Sequence, residues 1–171
     1  MVSTFFEDLA EARVYEALVL EVLRNYKSND YVFEDVTKDS EYYHKGDIVA
    51  YDTNTLEEKY IDVKNDSVMH KSHNILCEDK VFYKESNCYK KGFMYSDYDY
   101  IAFVSEPEKK IYMLDFALLK KHYKLGKFIR VYHGEQDTLG YLLPLKKAEL
   151  LGIIKAEINY IQRDDGTYIA A

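Results

Sequence analysis

Two short segments predict the centre of the fold: Gly46-Asp47-Ile48-Val49-Ala50-Tyr51 and Lys59-Tyr60-Ile61-Asp62-Val63-Lys64. Both combine β-branched and aromatic residues, which favour strands. The polar residues 52–55 between them have the composition of a hairpin turn. The sequence therefore predicts two neighbouring antiparallel strands joined by a short connection.

The second of these strands carries charged residues on one face and apolar residues on the other. Side chains alternate between the two faces of a strand, so Ile61 and Val63 are expected to enter a core. Asp62 and Lys64 then share the opposite face. A hairpin can also bring Asp47, at the start of the first strand, close to Asp62.

These residue types suit metal-assisted hydrolysis of a phosphate ester. The carboxylates of Asp47 and Asp62, beside the carbonyl of Val63, are hard oxygen ligands of the kind that Mg²⁺ or Mn²⁺ prefers. A lysine beside such a site, here Lys64, can orient or help deprotonate a water molecule and stabilise developing negative charge.

A helix is predicted before the strands, over Phe5–Tyr26, because apolar residues recur there at helical spacing. Ser3 or Thr4 is the expected N-cap. Glu16 falls inside the apolar arc of this helix, where a carboxylate is costly to bury without a partner such as a metal. Glu11, at the edge of the arc, is the second candidate.

Each of these residues also has an ordinary structural interpretation. Asp62 and Lys64 could form an ion pair on an exposed edge strand, worth at most about 1 kcal/mol. Asp47 could be a turn residue that precedes a strand. Glu16 could reach solvent or pair with Arg13.

The order of helix, Gly-Asp strand and Asp-x-Lys strand resembles the PD-(D/E)XK, or restriction-endonuclease-like, nuclease superfamily. Gly46 stands where the family name has Pro. The resemblance implies a helix, three strands, a helix and a strand around a mixed sheet. It also implies an Mg²⁺-dependent or Mn²⁺-dependent DNA endonuclease whose catalytic residues are Glu16, Asp47, Asp62 and Lys64. Glu16, Asp47, Asp62 and the Val63 carbonyl would hold the metal.

Later segments extend the resemblance to a bacterial and phage subgroup, over most of residues 9–122. Residues 64–78 resemble a Lys-x-Asp followed by a strand that ends in Glu, with His73 where the subgroup has Gly. Residues 96–103 fit an Ala-Asp-Tyr-type strand, and residues 110–114 would form the next one. This implies roles in restriction, repair, recombination or the processing of phage or mobile-element DNA. Many nucleases of this fold form homodimers to cut two strands.

Other residues suggest weaker hypotheses. The lysines Lys90, Lys91, Lys120, Lys121 and Lys124 are candidates for contacts with nucleic-acid phosphates. The abundant tyrosines, 18 of 171 residues, could stack on bases or simply form strands. A zinc site is an alternative whose spacing fits no common zinc module well. Its ligands would be His70, His73, Cys77 and Cys88.

Composition and charge set the wider expectations. The 171 residues, 47% hydrophobic with 31% charged, predict one α/β domain over 1–171, with a mixed sheet flanked by helices. Two cysteines, no signal peptide and no apolar run of membrane-spanning length favour a cytoplasmic protein without a membrane partner. Residues 1–66 carry 7 Lys and Arg against 16 Asp and Glu, whereas residues 67–171 carry 16 against 14. The acidic balance favours an alternative function, a catalytically silent binding or regulatory protein.

Overall fold

A computed structural model describes residues 5–27, 29–39, 45–66, 68–84, 86–123, 129–133 and 136–171. Side chains are described for all of these except residues 5–8, 132, 133 and 136. The helices of this part of the chain are α1 (Phe5–Tyr26), α2 (Met69–Ser72), α3 (Phe116–His122) and α4 (Leu145–Leu150). The first six strands are β1 (Tyr31–Asp35), β2 (Ile48–Asp52), β3 (Glu58–Asn65), β4 (Asn74–Tyr83), β5 (Cys88–Lys91) and β6 (Tyr100–Ser105). The remaining five are β7 (Lys110–Asp115), β8 (Ile129–His133), β9 (Gln136–Pro144), β10 (Ile154–Gln162) and β11 (Tyr168–Ala170).

The strands form two sheets. The larger has seven strands in the order β1-β2-β3-β6-β7-β10-β11. All its neighbours are antiparallel except β3 and β6, which run parallel. The smaller has four antiparallel strands in the order β5-β4-β9-β8. The α/β class and the mixed central sheet are thus confirmed.

Helix α1 covers one face of the large sheet. Its buried residues, among them Val19 and Val22, pack against Ile61 and Val63 of β3 and against Val104 of β6. The apolar spacing that predicts this helix is therefore the spacing that fills the core. The expected N-cap, Ser3 or Thr4, lies outside the described residues.

The opposite face of the large sheet is covered by the short helices α2, α3 and α4 together with the small sheet. Helices therefore flank both faces, and the small sheet is an addition that the sequence does not predict. Ile101 and Phe103 of β6 pack there against Ile75 and Cys77 of β4, together with apolar residues of the short helices. Successive β6 residues therefore face two different cores, because a central strand is buried on both sides. None of the described helices is long and apolar enough to cross a membrane.

Strand β4 is also longer than expected. The sequence predicts a short strand at 74–77 and a second at 80–84, on either side of the charged Glu78 and Asp79. The structure has one strand with an irregularity in its register between Glu78 and Lys80. Asp79, at this bulge, is 4% exposed and accepts a hydrogen bond from the Tyr95 hydroxyl (2.9 Å). A bulge re-aims side chains without ending a strand, so Glu78 and Asp79 do not mark a loop.

Candidate functional site

Asp47 precedes β2 and is fixed to the backbone of β3. Its N–H donates to the carbonyl of Ile61 (2.9 Å), and its Oδ2 accepts from the N–H of Val63 (2.8 Å). The paired register of the two strands runs from Tyr51–Glu58 to Ile48–Ile61. Asp47 comes directly before this paired stretch, and its carboxylate is near enough to that of Asp62 for the two to repel each other.

Gly46 allows this close approach of the two strands. Its φ is +131°, and a Cβ built on it would lie 2.7 Å from the carbonyl oxygen of Ile61. Real Cβ atoms essentially never come so near a backbone oxygen. Steric contact with Ile61 therefore requires a glycine at position 46, whichever family the chain resembles.

We expect Gly46→Ala to lower the free energy of unfolding by about 2 kcal/mol or more, because both the positive φ and the contact with Ile61 become unfavourable. Urea unfolding measures this change. Gly152→Ala is a matched control, because Gly152 has a φ of +67° but no atom within 4 Å of a built Cβ. Equal losses in the two variants would contradict the role of the close contact.

Asp62 and Lys64 form an ion pair on β3 in which the carboxylate is buried and the side chain of Lys64 is 34% exposed. Asp62 is 5% exposed, and its Oδ2 lies 2.7 Å from the Nζ of Lys64. Beyond this ion pair, Oδ2 accepts no hydrogen bond from the described residues. The ion pair of the ordinary interpretation therefore forms, but its place on an edge strand is wrong, because β3 lies inside the sheet between β2 and β6. The predicted alternation is confirmed, since Ile61 and Val63 enter the core under α1.

The electrostatics of the site are those of crowded carboxylates beside one cation. Burial, followed by repulsion from Asp62, raises the pKa of Asp47 from 3.8 to about 7, against the hydrogen bond from the Val63 N–H. Burial alone would lower the pKa of Lys64, but the negative charge of Asp62 outweighs it and the pKa rises. Lys64 therefore stays protonated at neutral pH.

Glu16 lies near these residues without joining them. Its Oε2 forms an ion pair with Nη1 of Arg13 (2.8 Å), and its side chain is 13% exposed. Burial raises the pKa of Glu16 against the opposing charge of Arg13, and Asp62 adds a smaller repulsion. The second candidate, Glu11, accepts a hydrogen bond from Asn65 instead (3.0 Å). Glu16 thus interacts electrostatically with Asp62, but its direct partner is Arg13.

Tyr98 is a site residue for which the sequence suggests no role. Burial, followed by the charge of Asp62, raises the pKa of its hydroxyl to about 12, and Lys64 opposes the rise. Its ring packs on Phe116 with centroids 5.4 Å apart. The feature of the sequence that could have identified Tyr98 is its position just before β6, the strand that pairs in parallel with β3. One tyrosine among 18 does not stand out without that pairing.

One of the predicted phosphate-contacting lysines lies beside the loop that carries Tyr98. Nζ of Lys120 contacts the Ser96 carbonyl oxygen, lies 3.6 Å from Asp97 Oδ1 and sits over the ring of Phe116. The others lie elsewhere. Lys90 and Lys91 are on β5, Lys121 is exposed on α3, and Lys124 lies outside the described residues.

The two cysteines of the alternative zinc hypothesis have different environments. Cys77 is buried, with the pKa of its thiol raised to about 12 by burial, and Cys88 is exposed. Across the described ranges, no three or more His, Cys, Asp or Glu residues are grouped so that they could hold a metal ion. His70 and His73 belong to those ranges, so the zinc hypothesis has no support from the geometry.

Two carboxylates could hold a divalent cation here. Asp47 and Asp62 repel each other, and the buried Oδ2 of Asp62 lies beside Lys64 without a hydrogen bond from any of the residues that the structure describes. A hard cation suits such oxygen donors and would relieve their repulsion. These two carboxylates suit Mg²⁺ or Mn²⁺ in their chemistry. Among the described residues no third ligand residue is grouped with them, and Glu16 would have to leave Arg13 to become one.

The chain was compared with known proteins in three ways. No protein-family model, no curated protein and no solved structure matches it. What the protein does must therefore be argued from the site itself.

Proposed function

We propose that this protein is an Mg²⁺-dependent or Mn²⁺-dependent DNA endonuclease of the PD-(D/E)XK type, which hydrolyses phosphodiester bonds. One observation carries the proposal: Asp47 lies close enough to Asp62 for the two carboxylates to repel each other, and Nζ of Lys64 lies 2.7 Å from Oδ2 of Asp62. Buried clusters of charge with perturbed pKa values are costly to stability and are typical of functional sites.

The order of elements supports the same family. Helix α1 is followed by the antiparallel strands β1, β2 and β3, and the chain then crosses to β6, which is parallel to β3. This is the helix, three strands and final strand that the resemblance implies. Where the family has a helix in the crossover, this chain has the one-turn α2 together with β4 and β5.

The proposed roles follow from the position of each group. Asp47 and Asp62 would hold the cation with the Val63 carbonyl, and Glu16 would reach it directly or through water. When bound, Mg²⁺ or Mn²⁺ supplies Lewis acidity at the phosphate and lowers the pKa of water. The ammonium group of Lys64, fixed by Asp62, would orient the attacking water and stabilise negative charge that develops on the phosphate.

A cleavage assay tests the proposal. Plasmid and branched DNA are incubated with Mg²⁺ or Mn²⁺, or with EDTA, and Asp62→Asn is assayed beside the parent. We expect metal-dependent cutting that Asp62→Asn abolishes and that Asp30→Asn, which changes an exposed carboxylate, retains. Cutting by Asp62→Asn at the parental rate would contradict the assignment. A nuclease of this kind would act in the cytoplasm, in restriction, repair, recombination or the processing of phage or mobile-element DNA.

A second candidate function is a catalytically silent binding or regulatory protein with the same fold. The ion pair between Glu16 and Arg13 favours it, because that pair removes one carboxylate from the described site. Thermal unfolding separates the candidates, since a ligand that binds only the folded state raises the melting temperature by mass action. A rise with Mg²⁺ or Mn²⁺ that Asp62→Asn abolishes supports the nuclease, and no rise supports the silent protein.

A further inference from the structure

The small sheet carries cations and aromatic rings in adjacent rows on one face. Residues paired directly across antiparallel strands point to the same face, as do residues two apart along a strand. One row consists of Lys91, Lys80, Leu139 and Arg130. The next row contains Tyr89, Phe82 and Asp137. These seven residues are the cation–aromatic face.

The rings of this face hold a defined arrangement. Phe82 and Tyr89 pack with centroids 5.0 Å apart and planes at 54°. Arg130 donates from Nη2 to the Tyr89 hydroxyl (3.0 Å), although the two residues lie on opposite edge strands. Tyr89 nevertheless remains 42% exposed. The contacts orient the Tyr89 ring while leaving much of its surface open to a ligand.

The charge of the face favours an anionic ligand. Lys80, Lys91 and Arg130 are exposed, and Asp137 is the one carboxylate in the two rows. This positive surface belongs to a chain whose net charge is −7. Electrostatic attraction would therefore concentrate a polyanion here rather than on the acidic N-terminal part.

The face belongs to the layer that lies on the Asp62 side of the large sheet. Ile75 and Cys77 of β4 pack against Ile101 and Phe103 of β6. The register of β3 and β6 pairs Asp62 with Ile101 and Lys64 with Phe103, so all four side chains share that side. A polymer bound to the small sheet would therefore lie on the same side of the molecule as the candidate site.

We propose that the cation–aromatic face binds an unpaired segment of a nucleic-acid strand. Lys80, Lys91 and Arg130 would contact phosphates, and the ring of Tyr89, supported by Phe82, would stack on a base. Stacking needs a base whose face is accessible, which a continuous duplex does not offer. That this strand is the substrate of the protein rests on the proposed nuclease function, whereas strand binding by the cation–aromatic face does not require catalysis.

Fluorescence anisotropy with labelled oligo-dT, oligo-U and a DNA duplex, in EDTA, tests the proposal on the intact chain. We expect both single strands to bind more tightly than the duplex, and Tyr89→Leu to weaken their binding at least about fivefold. Lys80→Ala/Lys91→Ala should reduce the slope of log K against log salt by about 1.4. Tyr26→Leu/Lys27→Ala is a matched control, because Lys27 lies over the ring of the exposed Tyr26 on α1.

The possible results have distinct meanings. Unchanged affinity in Tyr89→Leu, equal affinity for duplex and single strand, or preferential binding of a poly-glutamate peptide would each overturn the proposal. Single-strand binding that depends on Tyr89, in a protein that cuts no DNA with Mg²⁺, would support the face and reject the nuclease. If Tyr89→Leu changes neither single-strand binding nor metal-dependent cutting, the nuclease is supported and the role of the cation–aromatic face is rejected.

Discussion

Lys64→Met is expected to lower the rate of metal-dependent DNA cleavage by about 10²-fold to 10³-fold, the usual effect of removing one preorganised group that stabilises charge in the transition state. The change removes the ammonium group that lies 2.7 Å from Asp62 and keeps a side chain of similar length. Gel assays with supercoiled plasmid under single-turnover conditions measure the loss. Parental rates in the variant would contradict the role of Lys64.

The same variant should be less stable, because it leaves Asp62 buried without its cation. Breaking a fully buried ion pair by removing one partner typically costs about 3–5 kcal/mol, and the 34% exposure of Lys64 reduces the expected loss here to about 1–2 kcal/mol. The double variant Asp62→Asn/Lys64→Met removes both charges and should recover most of that loss, while remaining inactive. Lys59→Met is the control on the same strand, since the ion pairs of Lys59 within the described part of the chain, with Glu57 and Asp99, are long and solvent-exposed (3.8 and 3.9 Å). It should change neither stability nor cleavage appreciably.

The sequence predicts those parts of the fold that depend on short-range patterns. The limits of α1 follow from apolar spacing within the helix itself, and the β2–β3 hairpin follows from a polar turn between two β-prone segments. The shared face of Asp62 and Lys64 follows from strand alternation alone. Such features need no knowledge of distant residues, so one sequence is enough to place them.

Features that depend on distant residues were not predictable in the same way. Strand β9 pairs with β4 across about 60 residues of sequence, and no short-range pattern in either segment predicts this pairing. Tyr98 acquires its environment only because β6 lies beside β3. Glu16 shows the same limit in reverse: the helical wheel places it in the apolar arc, but only the structure shows that Arg13 is its partner.

The strongest test of the electrostatics concerns the proton on Asp47. Its folded pKa of about 7 lies above its ordinary value of 3.8, so the folded state holds this proton where the unfolded state has lost it. The contribution of Asp47 to stability is therefore complete below about pH 4 and is lost as the pH rises to about 7. Three pKa units set an upper limit of about 4 kcal/mol, and solvent screening reduces the expected loss to about 1–2 kcal/mol.

We therefore expect Asp47→Asn to be more stable than the parent at pH 8 in EDTA, and equally stable near pH 4. The amide can still accept from the Val63 N–H, but it carries no charge to repel Asp62. Urea unfolding across this pH range measures the difference. Asp52→Asn, at the other end of β2, should have the opposite effect above pH 4, because hydrogen bonds from the Thr55 and Asn54 N–H groups lower the pKa of that carboxyl.

If Asp47→Asn gains stability and also loses Mg²⁺-dependent cleavage, the protein retains the destabilising repulsion at Asp47 because Asp47 is needed for metal binding. If it gains nothing at pH 8, Asp47 is not held close to Asp62 in solution, and the two carboxylates do not form one site.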